Sequence, residues 1–338
     1  VVDNNATFNG RFTSGNLQLT AGTQYGGGAV MEGVVNWSGG TLTGGWTVDV
    51  GQQLNIQAGG TKILNGSLTN DGLIVASDQL GFQYNNTLTN NGTYSVQGNA
   101  SLVNNYAGGA FVNNGMFVNN SGGYTTDASS INFSNTALGD MEIQTGTVQV
   151  AAGFDNQGLI NIGSGAALTI AGNGNFSSEG LLQGVGVING NLTDNGVITP
   201  GAIGNPGALT INGNYQQGLG GLFNEQLGAT ASLLTINGAA GFNGVLALTA
   251  LSGLQLTLGE NITIAVISQN LTGALFGGVT SYTDNWGDQY LLSAVAGVGG
   301  VTDLNLTVTS VAAVPVPGAV WLFGSGLLGL LGLRRKAA

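Results

Sequence analysis

The sequence predicts an all-β chain: a right-handed parallel β-helix with a C-terminal β cap and one short C-terminal transmembrane helix. Three observations predict it. Short runs rich in Thr, Val, Ile and Leu alternate with corners bearing Gly and Asn; the corners recur at a near-constant interval; and one long apolar stretch stands near the end of the chain. β-Branched residues fit a pleated strand, and Gly and Asn tolerate the positive φ of tight corners.

The repeats come first, over residues 1–248. Units such as Ser67-Leu68-Thr69-Asn70-Asp71-Gly72-Leu73-Ile74-Val75 and Ala110-Phe111-Val112-Asn113-Asn114-Gly115-Met116-Phe117-Val118 place an Asp-Gly or Asn-Gly between two short apolar runs. Corner glycines fall at 72, 92, 115, 158, 180 and 196, in steps of 20, 23, 43, 22 and 16; the step of 43 reads as two coils with one degenerate corner. A repeat of this length matches one coil of a parallel β-helix, and a single coil cannot bury its own apolar face, so coils must stack. Asn-Gly between strands is also a hairpin signal; the recurrence of whole units favours the solenoid over antiparallel hairpins or a sandwich. Asn at the same place in successive units is either a stacked ladder inside a corner or a turn former. Within strands such as Ala167-Leu168-Thr169-Ile170 and Ala208-Leu209-Thr210-Ile211-Asn212, apolar and polar residues alternate, which gives one buried and one wet face.

Composition excludes several classes of function. There is no Cys and no His, so disulfides, thiolate chemistry, sulfur-ligated metals, the usual proton shuttle and the usual zinc ligand are all absent. The net charge is −11, and the five cations are Arg11, Lys62, Arg334, Arg335 and Lys336. No basic stripe exists to neutralise phosphates, so nucleic acid is not an expected partner. No cofactor is expected either. Val1-Val2-Asp3-Asn4-Asn5 carries no Met and no charged-then-apolar leader, which reads either as a leader already removed or as the start of a fragment.

Between Gly196 and Leu248 the chain reads Gly196-Val197-Ile198-Thr199-Pro200-Gly201, then Asn205-Pro206-Gly207-Ala208-Leu209-Thr210-Ile211-Asn212, then Tyr215-Gln216-Gln217. This order resembles the last passenger coils of autotransporter-like and haemagglutinin-like β-helix proteins, with Ala208 in place of their usual Thr. The resemblance implies a β-helix terminus and an exported protein, without implying one activity. Residues 249–312 then change register. Leu254–Val266 and Leu304–Val311 read as longer strands of a cap that shields the last coil from edge-to-edge pairing, with Trp286 and Tyr290 covering its apolar end.

The tail, 313–338, is a different kind of sequence. Val314-Pro315-Val316-Pro317 forms a prolyl break, 318–333 is a run of 16 residues without charge, and Arg334-Arg335-Lys336 follows. As a helix, the run would be about 24 Å long, short for a bilayer that takes about 20 residues. The positive-inside rule would put the basic end in the cytoplasm and the body outside that membrane. This tail resembles the PEP-CTERM sorting signal: Pro315 and Pro317 match its prolines, with Val316 where Glu is common. Trp321, Leu322, Phe323, Gly324, Ser325 and Gly326 match the start of its helix, and Arg334, Arg335 and Lys336 match its basic stop. The resemblance implies a Gram-negative bacterium, transient anchoring in the inner membrane and processing by an exosortase-type enzyme. Release to the cell surface or extracellular matrix and association with exopolysaccharide and biofilm follow from it too.

Candidate chemistry in the body is sparse. A lyase needs a strong base and a cation for the uronate carboxylate, and the body offers only Arg11 and Lys62. A hydrolase needs paired carboxylates; Asp140 and Glu142 share one face if their segment is a strand. Asp284, Asn285 and Asp288 present oxygens suited to calcium, without a recognised calcium-loop spacing. Asp71 and Asp194 read as corner residues. Trp37, Trp46, Tyr84 and Tyr94 are candidates for stacking platforms on a glycan-binding face, or for core and corner packing. The expectation is a non-enzymatic structural or adhesive protein, with a β-helix polysaccharide lyase or hydrolase as the alternative.

Overall fold

The computed structural model describes residues 1–297 and 299–312. Among them, 34 strands join into one continuous sheet that winds as a right-handed parallel β-solenoid. Each coil contributes to three faces. One runs through Gln53–Ile56, Leu73–Ala76 and Thr93–Gln97; the second through Thr87–Asn90, Ala110–Asn113 and Asn132–Asn135; the third through Leu80–Phe82 and Leu102–Asn104. Coil-to-coil pairing is parallel and in register, as in Leu54 opposite Ile74 and Ile74 opposite Tyr94. This rules out the hairpin reading of the Asn-Gly corners. Among the described residues antiparallel pairing is confined to two small excursions, where Gly201 faces Pro206 and Leu227 faces Ala231, and to the C-terminal end.

The alternating pattern decides which side faces in. Thr87–Asn90, Ala110–Asn113, Leu159–Ile162 and Ala167–Ile170 each alternate half-buried and buried residues. Parallel in-register stacking then puts like residues over like. Phe111 lies on Phe133 with ring centroids 4.9 Å apart and planes 5° from parallel, and Tyr94 on Phe117 at 5.8 Å and 3°. Offset stacks of this kind add about 0.5–1.5 kcal/mol each beyond their buried area.

The predicted corner glycines do their work through close approach. A Cβ on Gly115 would meet the backbone of Asn91 and Gly92 in the coil below, and one on Gly196 would meet Glu179 and Gly180. The degenerate corner in the 43-residue step is Gly139, which lies as tightly against Asn113.

At the C-terminal end, Asn261–Ile267 stacks parallel on the last coil, with Ala265 opposite Leu234, and pairs antiparallel with Thr302–Ser310. Gln289–Ala296 extends that antiparallel sheet. The strand expected from Leu254 begins only at Asn261. Ahead of it the chain turns, with the Thr257 N–H donating to the Glu260 carboxylate at 2.9 Å, while Leu254 and Leu256 still pack on the core. Tyr290 is fully buried as expected, but Trp286 is half exposed and is not part of the core. Phe276 covers the end of the aromatic core instead, 5.2 Å from Phe242.

One part of the expected fold is corrected. Among the described residues no helix is long and apolar enough to cross a membrane; the helices present are the short 3-10 turns Ala171–Asn173 and Leu275–Gly278. The transmembrane helix expected at 318–333 lies outside the described residues, and the described structure supports neither that helix nor the inner-membrane anchor that depends on it.

Candidate functional site

The corner between the second and first faces holds a column of buried side chains. Asn70, Asn90, Asn113, Asn135 and Asn156 are each at most 1% exposed. Their amides join head to tail. Asn70 Nδ2 donates to Asn90 Oδ1 at 2.7 Å, Asn90 to Asn113, Asn113 to Asn135 and Asn135 to Asn156 at 2.8 Å each, and Asn156 donates to Ser178 Oγ at 3.2 Å. The second amide hydrogen reaches a backbone carbonyl: Asn90 to Met116 at 3.0 Å, Asn113 to Asp140 at 3.1 Å and Asn135 to Leu159 at 2.9 Å. Of the two sequence readings of these asparagines, the ladder is correct. An amide carries donors and an acceptor, so it can repeat without limit inside an apolar core.

Beyond Ser178 the column changes chemistry. In register come Asp194, then Gln217. Asp194 is therefore not a simple corner residue; it is buried, with its carboxyl facing inward. Tyr215 donates its hydroxyl to Asp194 Oδ2 at 3.2 Å, and Asp194 Oδ1 has no partner. Burial pushes the Asp194 carboxyl up to about 7, against the opposing pull of the Tyr215 hydrogen bond. In the same coil as Gln217, Glu225 is fully buried with neither carboxyl oxygen partnered, and burial holds its carboxyl well above the usual carboxylate range. Neither buried acid was legible as such, because Asp194 sits in a corner pattern and Glu225 among Asn and Gln. By contrast Asp71 is a surface corner residue, accepting from Asn91 at 2.8 Å.

The other candidates separate. Asp140 and Glu142 do share one face of Asp140–Val150. Partial burial raises both, with Asn161 donating to Glu142 at 2.9 Å and opposing its shift. Asp284, Asn285 and Asp288 are engaged by the protein itself. Asp284 accepts from the Tyr290 hydroxyl at 2.7 Å and from the backbone of Trp286 and Asp288 at 2.9 and 3.0 Å. Asn285 pairs with both backbone groups of Ala250, and Asp288 accepts from Ala312 N at 2.6 Å. Among the described residues no group of three acidic, Cys or His side chains could hold a metal, and the calcium reading loses its ligands to these bonds. Arg11 is bound to Glu32 at 2.6 Å and to Asp49. Lys62 is buried against Asp78 at 2.6 Å and the carbonyls of Gln57 and Gly60 at 2.9 Å each.

Of the four aromatics considered as platforms, Trp37, Trp46 and Tyr94 are core residues; the two indole N–H groups reach the Gly39 and Thr43 carbonyls at 3.1 and 3.0 Å. Only Tyr84 is on the surface, 60% exposed, and there it stacks on Tyr106, 66% exposed, with centroids 5.4 Å apart and planes 15° from parallel. Tyr106 was missed, although Asn104-Asn105-Tyr106-Ala107-Gly108-Gly109 does set an aromatic among turn formers.

Residues 313–336 match a family model described as the PEP-CTERM protein-sorting motif. Every residue proposed for the sorting signal, Pro315 to Lys336, falls inside that match and outside the described structure. A comparison with curated proteins returns no match.

Proposed function

We propose that this chain is an exported structural or adhesive protein, sorted through residues 313–336 and placed at the cell surface or in the extracellular matrix of a Gram-negative bacterium. Its processing partner would be an exosortase-type enzyme, and its setting exopolysaccharide or biofilm. The observation that carries the reading is the sorting motif at 313–336, appended to a long parallel β-solenoid. The likeness of 196–248 to autotransporter-like and haemagglutinin-like terminal coils agrees with export. The inner-membrane anchor is not part of the proposal.

The body supports a non-enzymatic role. Both of its basic side chains are held in ion pairs, so neither is free to abstract a proton beside a uronate. Asp140 and Glu142 lie two residues apart on a strand, a rise of about 6.6 Å, within the range of an inverting pair. Their neighbours on that face are the coil-to-coil partners Met116, Val118, Leu159 and Asn161 rather than other ionisable groups.

The test compares the full chain with a version ending at Val314, expressed in a Gram-negative host that has an exosortase. Fractionation and intact-mass analysis should find the full chain shortened and at the surface or in the medium, and the truncated chain elsewhere. Recovery of both in one fraction at full length would overturn the proposal. Release of reducing or unsaturated sugar ends from exopolysaccharide, abolished in D140N/E142Q, would favour the hydrolase or lyase reading.

A further inference from the structure

The corner joining the third face to the second is built in two ways. In the later coils it is closed. Asn189-Gly190, Asn212-Gly213 and Asn237-Gly238 turn tightly, a Cβ on Gly213 or Gly238 would strike the glycine carbonyl of the coil beneath, and the asparagines chain along the surface at 2.8 and 2.7 Å. In the earlier coils the same corner opens outward. Gln83-Tyr84-Asn85-Asn86 holds Tyr84 at φ 51° and Asn85 at φ 60°, a left-handed backbone costing about 1–3 kcal/mol per residue. The product of that cost is an exposed ring, stacked on the Tyr106 ring of the next coil. Neither phenol hydroxyl is engaged by a protein hydrogen bond among the described residues.

Farther along the same corner, the backbone of Asn104 is tied to Ser130 Oγ at 3.0 Å. From there a cleft of about 480 Å³ opens between the coils at 129–136 and 151–157. It exists because the coil-to-coil ladder fails: Asn132–Asn135 meets the next coil at a single register pair, Asn135 with Asn156. Phe133 and Phe154 lie in it, nearly buried, and Asp155 and Gln157 stand on its far wall. With a coil spacing of about 4.8 Å, the Tyr84–Tyr106 stack and the cleft form one strip about 15 Å long. Aromatic rings, amides, hydroxyls and unladdered backbone all lie along it.

We propose that the strip from Tyr84 and Tyr106 to the cleft at Phe133 and Asp155 is a binding site for an uncharged polysaccharide chain running along the solenoid axis. Aromatic faces pack the apolar C–H face of a pyranose, and the amides and open backbone pair its hydroxyls. Charge selects the class: the strip has an acid, Asp155, and no cation, while the cations of the described body, Arg11 and Lys62, are held in ion pairs elsewhere. An anionic polymer would meet no counter-charge. This deepens the matrix reading above by naming the polymer class and the contact.

Affinity electrophoresis of the full chain in gels containing hydroxyethylcellulose, galactomannan, dextran or alginate tests it. Retardation by at least one neutral polymer is expected, with none by alginate. The Y84A/Y106A variant should lose at least fivefold in affinity while keeping its urea midpoint, and Tyr124→Ala, which truncates an exposed tyrosine on another corner, should bind normally. Three results would overturn the site: no retardation by any neutral polymer, equal retardation of Y84A/Y106A, or preferential retardation by alginate. Binding is read on purified protein, so mis-sorting in the fractionation experiment would fail the export reading and leave this one standing.

Discussion

Two parts of the buried core hold their polar groups differently. From Asn70 to Asn156 every position is an amide, every amide is bonded to the next, and the links are 2.7–2.8 Å long. In the later coils the core also takes in two carboxyls, Asp194 in that column and Glu225 on another strand, and three of their four oxygens have no partner. An amide both gives and receives, so a column of amides satisfies itself at every internal link and leaves only the end acceptor, Asn70 Oδ1, without a partner. An ionised carboxylate only receives, so in the same position it must be protonated or leave a charge buried. The regular stretch holds its polar groups at little cost. In the acidic part, burial raises both carboxyls, so pH is expected to act on stability there.

The comparison can be broken hardest in the middle of the amide stretch. Asn113→Leu removes one link on each side and the bond to the Asp140 carbonyl. With about 1–3 kcal/mol per orphaned buried group, the expected loss is about 4 kcal/mol, read as a drop in urea midpoint. An unchanged midpoint would show that the ladder is incidental. Gly115→Ala attacks the corner beside it. Its Cβ would press on the backbone of Asn91 and Gly92, which cannot yield as a side-chain tip would, and overpacking of this kind costs about 3 kcal/mol.

Asp194→Asn sharpens the comparison by extending the amides into the acidic stretch. The folded pKa of Asp194 is raised to about 7 from 3.8, so the folded chain holds this proton more tightly than the unfolded chain. The resulting stability is full below about pH 4, is lost as pH rises through about 7, and is flat beyond. Asp194→Asn should therefore gain up to about 4 kcal/mol at pH 8, gain little at pH 4, and flatten the intervening slope of midpoint against pH. A variant as pH-sensitive as the parent would place the slope elsewhere, with Glu225→Gln the next substitution to measure, since its carboxyl is raised for the same reason. The smallest effect is expected from Gly98→Ala. Its φ is +70°, but nothing lies within 4 Å of the added methyl, so the loss should stay near 1 kcal/mol, well below that of Gly115→Ala.

Much of the solenoid was readable because its signals are local and repeated. The glycine spacing marked the coils, including the weak corner later found at Gly139, and the alternation in Ala167–Ile170 marked the buried face. The candidate sites were less readable. Asp284, Asn285 and Asp288 looked like metal ligands because their oxygens are close in sequence; only the fold brought Tyr290, Ala250 and Ala312 to occupy them. Tyr84 and Tyr94 look alike in sequence, yet one is on the surface and the other in the core.

What the sequence determined by itself is the coil: its length, its corners, its inward-facing apolar positions, and the tail motif at 313–336, all of which are written in short-range pattern. What only the tertiary structure decided is the partnership between coils. In Asn90-Asn91-Gly92 and Asn113-Asn114-Gly115 the first asparagine points inward and the second outward. Only the in-register stacking of coils some 20 residues apart turns the inner ones into a ladder, opens the cleft at Asn132–Asn135, and lays Tyr84 against Tyr106. Those contacts depend on residues one coil away in the chain and about 4.8 Å away in space, a distance that no local pattern encodes.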